Sequence, residues 1–308
     1  MKFGFGLPAL ILYPPVMSAW EAEAKPNDVL RIAQKADELG FDWITVSEHI
    51  VMPEEMVEIM GPRFPEALSA ASFLAGATKQ IKILPYVLVL PYRNPILLAK
   101  QIATLDFLSG GRITLGTAAG HLEREFEILK VPFHERGALT DEYILAMKEL
   151  WTSENPSFQG RYVQFDNIRF EPKPIQKPHP PIFIGGNSRP AMRRAANVGD
   201  GWLPWLITRK QLPEALSYLQ EQPGFQERDR PFEVVMPLAT LNVEDYSHRE
   251  LGKTRAPRNR EDVIEEIGLL GEAGTTVTLV APPRTRSPEH AIEWTEWFAS
   301  EIMPEFKK

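Results

Sequence analysis

Three short runs carry the side chains with which this chain could do chemistry. Glu48 and His49 follow the apolar run Phe41–Val46 directly, so a carboxylate and an imidazole sit where a strand ends. Such a pair can hydrogen-bond a polar ring edge or move a proton. It can equally close a loop as a structural pair. His121 follows a second apolar run, Ile113–Ala118, after Ala119 and Gly120. An imidazole there can exchange protons near neutral pH or serve only as a hydrogen-bonding wall. The third run, Gly185-Gly186-Asn187-Ser188-Arg189-Pro190, leaves an apolar strand and opens a helix. Glycines permit close backbone approach, and free amides at a helix start attract anions. Arg189, Arg193 and Arg194 crowd the first turns, where cations oppose the helix dipole. A bound phosphate would relieve that conflict. A tight turn, with the arginines paired to surface carboxylates, is the other reading.

The elements that must position these runs alternate along the chain. Apolar strands are predicted at Lys2–Leu7, Phe41–Val46, Ile81–Val89, Ile113–Ala118, Ile182–Ile184, Gly201–Trp205, Phe232–Leu241 and Thr275–Ala281. Helical spacing separates them, as in Val29, Ile32, Ala33, Ala36 and Leu39. Between Arg93 and His121 one whole step is legible. Asn94 caps a helix, Pro95 suits its first turn, and Leu98, Ile102 and Leu105 repeat along it. Gly110 then supplies a left-handed stop before the next strand. Eight strands alternating with helices predict an α/β fold, a (β/α)8 TIM barrel, as one domain over residues 1–308. Such barrels work at the C-terminal ends of their strands, where all three runs lie. Residues 152–180 break the alternation as an excursion, with a hairpin turn at Phe158–Tyr162 followed by closely spaced prolines. Pro85 resists the pattern, because proline is rarely tolerated in a central strand. A bulge or irregular backbone there removes the conflict.

Composition narrows the function classes. The 308 residues are 44% hydrophobic and 24% charged, as in a soluble globular protein. A net charge of −7 gives no electrostatic support to nucleic-acid binding. With no cysteine there are no disulfides or thiolate metal sites, and the six histidines lack ligand spacing. No apolar run approaches the ~18 residues of a membrane span, and the N-terminus lacks signal-peptide order. A cytoplasmic enzyme is the default expectation.

The stretch Arg93–His121 resembles the luciferase-like flavin and deazaflavin oxidoreductases. Thr45–His49, Pro180–Ser188 and Gly199-Asp200-Gly201-Trp202 strengthen the match, in the family's order and rough spacing. The resemblance covers most of residues 1–205 and only loosely the remainder. It implies a luciferase-like TIM barrel, a homodimer and a small-molecule organic substrate. It also implies a non-proline cis peptide near the end of strand three, at Tyr86–Val87 or one residue to either side, against which the cofactor ring packs. Ala119 and Gly120 would join Tyr86 and Val87 around the cofactor, and Gly185, Gly186, Asn187, Ser188 and Arg189 would hold its phosphate. Glu48, His49 and His121 would be the catalytic candidates. A glutamate occupies the position of His121 in the family's sugar-phosphate dehydrogenases, so this chain departs from them. Leu105–Arg112 and the Gly-Asp-Gly-Trp element resemble the deazaflavin branch most. They imply hydride transfer with coenzyme F420; an FMN-dependent monooxygenase is the alternative.

Two other classes remain to be weighed. A barrel glycoside hydrolase needs two carboxylates ~5–9.5 Å apart, and only Glu48 is well placed. A cofactor-binding protein without turnover also fits, since fold does not imply function. Tyr13, Trp20, Met52, Trp202 and Trp205 are candidates for an apolar substrate pocket, or plain core. Asp106 and Arg112 read as a structural ion pair or turn.

Overall fold

The computed structural model describes residues 1–238 and 260–307. In chain order its strands are β1 Lys2–Gly6, β2 Trp43–Val46, β3 Lys82–Pro85, β4 Leu88–Val89 and β5 Leu115–Ala118. They continue as β6 Phe158–Gln159, β7 Gln164–Phe165, β8 Ile182–Gly185, β9 Gly201–Leu203, β10 Glu233–Pro237 and β11 Val277–Val280. Nine of them form one sheet in the order β3-β2-β1-β11-β10-β9-β8-β5-β4. Every pairing within it is parallel. The two terminal members, β3 and β4, are pieces of one stretch, and a parallel bridge from Ile83 to Ile113 joins β3 to the approach of β5. The sheet therefore closes on itself, and its eight strand positions with surrounding helices make the expected TIM barrel.

The stretch read as one strand, Ile81–Val89, is broken where Pro85 raised the conflict. β3 ends at Pro85, the Tyr86–Val87 peptide is cis, and β4 resumes at Leu88. Side chains satisfy the backbone polar groups of this break. Ser47 Oγ donates to Tyr86 O at 3.0 Å and Thr117 Oγ1 to Leu88 O at 2.8 Å. Val89 N donates to Glu48 Oε2 at 3.2 Å.

Local chemistry sets the helix bounds as expected around strand four. Asn94 Oδ1 accepts from Ile96 N and Leu97 N, Pro95 opens the helix Pro95–Ser109, and Gly110 ends it at φ 72°. Asp106 and Arg112 do not pair with each other. Asp106 accepts from the backbone and side-chain nitrogens of Gln176, whereas Arg112 donates to the carbonyls of Ala75, Ile81 and Ser109. Both residues are structural, mostly through partners far apart in sequence. The excursion at 152–180 contains the antiparallel β6–β7 hairpin. Strand seven was expected to reach Leu241. The structure gives Glu233–Pro237, and residues 239–241 and the charged loop Ser247–Arg258 lie outside the described residues.

Two apolar layers result. Inside the barrel, Trp43, Leu84, Phe183, Leu203, Val235, Val277 and Leu279 pack together, with Tyr86 and Val87 against them. A larger cluster fills the space between sheet and helices, including Phe3, Phe5, Ile44, Leu98, Ile102 and Trp151. No helix among the described residues is long and apolar enough to cross a membrane.

Candidate active site at the strand ends

Glu48 and His49 leave β2 side by side and enter different networks. The Glu48 side chain is wholly buried. Both guanidinium Nη atoms of Arg93 donate to it, Nη1 at 2.9 Å, and the amides of Ala67 and Val89 donate at 3.2 Å each. Four donors occupy about the four lone-pair positions that a carboxylate offers. Arg93 also reaches Glu66, which caps the helix Ala67–Ala77. Burial pushes the Glu66 carboxyl up, but bonds from Ser69, Arg93 and Leu68 outweigh it and bring the pKa to about 2. Glu48 thus ties β2, the break after β3 and the helix Ala67–Ala77 together.

His49 is nearly buried, with its side chain 10% exposed, and its Nδ1 lies 3.0 Å from Glu125 Oε2. Its ring packs edge-on to Phe64 at 4.7 Å and to His121 at 6.0 Å. The structure thus brings the two candidate histidines together; His121 is exposed and His49 is not. Glu125 itself escaped sequence reading. It sits in the helix Glu123–Leu129 among Glu123, Arg124 and Glu127, where a fourth charge looks like one more solvated side chain. The apolar Phe126 beside it was the available signal, since both residues are buried while those charged neighbours are exposed.

Gly120, at φ 86°, turns the chain out of β5. A side chain there would strike Val89 and the Phe126 ring, each 2.7 Å from an added Cβ. At Gly185 an added Cβ would lie 3.2 Å from both Val87 and Ala118. Protein packing therefore explains both glycines, and it draws Val87, just before β4, to Ala118 and Gly185 at the ends of β5 and β8. Ala119 joins β5 to Gly120 and is half-buried. Burial raises the Tyr86 phenol well above its ordinary range, so the ring stays neutral against the inner layer.

After β8, Gly186 takes φ 113°, and Ser188 Oγ caps the helix Arg189–Val198 through Ala191 N. The amides of Asn187, Ser188 and Arg189 have no protein acceptor among the described residues. The Asn187 side chain is engaged elsewhere. Its amide nitrogen donates to Trp205 O and its oxygen accepts from Trp205 N at 2.9 Å. The three arginines divide. Arg194 is buried and donates to Asp141 at 2.6 Å and to Gly137 O, so it is structural. Arg189 lies over the Tyr218 ring and Arg193 reaches the Tyr218 hydroxyl. Exposed Arg189 is the cation next to the free amides. An anionic group fits this helix start, through its amides and Arg189.

The aromatic candidates also divide. Trp202 is fully buried core and donates Nε1–H to Gly186 O at 2.8 Å. Trp20 donates to Thr285 Oγ1 at 3.0 Å. Trp205 is 51% exposed, pinned by Asn187 at the end of the β9 strand run. Tyr13 and Met52 are half-buried in the loops after β1 and β2. Among the described residues no group of histidines and carboxylates has the geometry to hold a metal ion.

Comparison with known proteins completes the assignment. The profile of luciferase-like monooxygenases matches residues 1–246. An uncharacterised protein of Mycobacterium tuberculosis is 32% identical over 98% of this chain and 99% of its own length. The FMNH2-dependent dimethylsulfone monooxygenase of Pseudomonas putida is 36% identical over 49% of this chain and 41% of that enzyme. An F420-dependent glucose-6-phosphate dehydrogenase of Amycolatopsis mediterranei is 31% identical over 58% of this chain and 53% of that enzyme. The matches thus span only about half the length of those two enzymes. Among solved structures, the monooxygenase RslO1 of Streptomyces bottropensis superposes with a TM-score of 0.77 over all of both chains, at 22% identity, a likeness of fold. The chain belongs to the luciferase-like monooxygenase family.

Proposed function

We propose that the chain transfers hydride between coenzyme F420 and a small organic substrate. The observation that carries a phosphate-bearing cofactor is the helix start at Asn187–Arg189, with three amides lacking protein acceptors among the described residues beside an exposed arginine. When bound, a deazaflavin supplies a hydride-carrying ring that does not readily activate oxygen. Val87, just before β4, with Ala118 and Gly185 at the ends of β5 and β8, would receive that ring, with Ala119 and Gly120 at its edge. Arg189 and the amides after Gly186 would hold the phosphate.

His49 is the proton-handling group in this reading, with His121 beside it as a second imidazole. Glu48 has the role of a fixed anion. Arg93 and two amides fill its oxygens, so it orients the strand-three break and leaves proton transfer to the histidines. The choice of deazaflavin rests on Leu105–Arg112 and Gly199–Trp202, which resemble deazaflavin-dependent members, and on similarity to the F420-dependent glucose-6-phosphate dehydrogenase. Histidine at position 121 argues against sugar-phosphate oxidation itself. The same resemblance proposes a homodimer, which light scattering on the purified chain checks.

A second reading has its own support. The dimethylsulfone monooxygenase has the higher identity, over a shorter stretch, and it is FMNH2-dependent. Anaerobic titration separates the two. Reduced F420 is expected to bind in the micromolar range or tighter, about −8 kcal/mol, and to support substrate reduction without oxygen. Binding of reduced FMN instead, with oxygen consumed alongside substrate, would sink the deazaflavin reading.

A further inference from the structure

Glu125 lies outside the motifs that define the family resemblance, yet its carboxylate is fully buried and fully occupied. Oε1 accepts from Ile50 N at 2.6 Å and from Val51 N at 3.2 Å. Oε2 lies 2.8 Å from the Tyr92 hydroxyl and 3.0 Å from His49 Nδ1. An ionised carboxylate only accepts, at about four lone-pair positions, and here four groups fill them. Burial pushes the Glu125 carboxyl up, but the bonds from His49, Tyr92 and the Ile50 amide outweigh it and hold the group below the usual carboxylate range. Tyr92 cannot supply a second anion. Burial and the neighbouring charges of Glu125 and Glu48 push its phenol far up, so it remains a donor.

The hydrogen in the His49–Glu125 contact must then sit on Nδ1. Neutral imidazole carries one N–H, and the other nitrogen keeps a lone pair. We propose that Glu125 is a positioning residue that fixes His49 as the Nδ1–H tautomer and leaves Nε2 as its proton-accepting atom. The same carboxylate anchors the loop at Ile50 and Val51, so the ring and its supporting backbone are set by one group. Protonation at Nε2 gives an imidazolium whose Nδ1–H bond to Glu125 is already in place, and the buried anion stabilises that charge. The functional consequence rests on the proton role given to His49 above; the tautomer does not depend on which cofactor binds.

Nitrogen-15 NMR of the full chain, labelled on histidine and measured without cofactor at mildly alkaline pH, tests the inference. Loss of the signal in His49→Gln assigns it. Wild-type His49 is expected to show a pyrrole-like Nδ1 and a pyridine-like Nε2, and Glu125→Gln should move both toward a tautomer mixture. With the cofactor that binds, Glu125→Gln and His49→Gln should lower turnover, and the double variant should be no slower than the slower single one. An Nε2–H tautomer in the wild type overturns the proposal even if Glu125→Gln fails to fold, and so does an unmoved signal in a folded Glu125→Gln. Turnover that survives His49→Gln while the Nδ1–H tautomer is present supports the tautomer assignment and instead removes His49 from the acid–base chemistry.

Discussion

The two ends of the barrel use buried and half-buried carboxylates differently. At the N-terminal end they receive the backbone at strand starts. Asp37 accepts from Lys79, Gln80 and Ile81 ahead of β3, Asp42 accepts from Phe3 N in β1, and Asp200 accepts from Ile182 N in β8. At the C-terminal end, Glu48 and Glu125 accept from backbone amides and also from side chains, Arg93 on Glu48 and His49 and Tyr92 on Glu125. The first arrangement fixes strand position. The second also holds a guanidinium, an imidazole and a phenol in place at the strand ends. The difference teaches that burial of a carboxylate does not mark function; the chemistry of its donors does.

Replacing donors at the opening should separate the two roles most sharply. His49→Gln should lower turnover by ~10²–10⁴ while global stability changes little, measured by steady-state kinetics alongside urea unfolding. Comparable losses in both would return His49 to the structural class. Arg93→Leu should do the opposite and destabilise the fold by about 3–5 kcal/mol in urea unfolding, because it leaves Glu48 buried without its cation. A loss under about 1 kcal/mol would mean that the two amides suffice for Glu48.

Smaller effects test the cofactor end and the opposite face. Arg189→Glu should weaken cofactor binding at least tenfold, about 1.4 kcal/mol, in the anaerobic titration, with the fold unchanged. Undiminished affinity would remove the phosphate from this helix start. At the N-terminal face, His179 is buried and donates Nδ1–H to Pro180 O. Burial, together with Lys148 and Arg230, disfavours its cation and lowers its pKa from the ordinary 6.5. Below pH 6.5 the unfolded chain therefore binds more protons than the folded one, and stability falls as pH drops. The slope from this group is at most ~1.4 kcal/mol per pH unit. Thermal melts from pH 7.5 to 5.5 should show a gentler decline for His179→Gln than for the wild type. Equal declines would place the pH dependence in other groups.

Much of the frame was legible in the chain. Periodicity gave the strand–helix alternation, and Asn94, Pro95 and Gly110 gave one helix its limits, because those signals act within a few residues. Pro85 announced the irregular backbone that separates β3 from β4. The positions of Glu48, His49, His121 and the Gly185–Arg189 run at strand ends followed from the same alternation. What each side chain does there was not legible. Glu48 and Arg93 are 45 residues apart, and His49 and Glu125 are 76 apart. Trp205 is pinned by Asn187 from the neighbouring strand end, and Arg194 leaves the expected anion cluster for Asp141. Sequence by itself determined which residue types reach the working end of the barrel, since strand and helix periods are local properties. Only the closed sheet decided which carboxylate meets a permanent cation and which meets an imidazole, because those contacts arise between strand ends that the chain keeps far apart until the barrel forms.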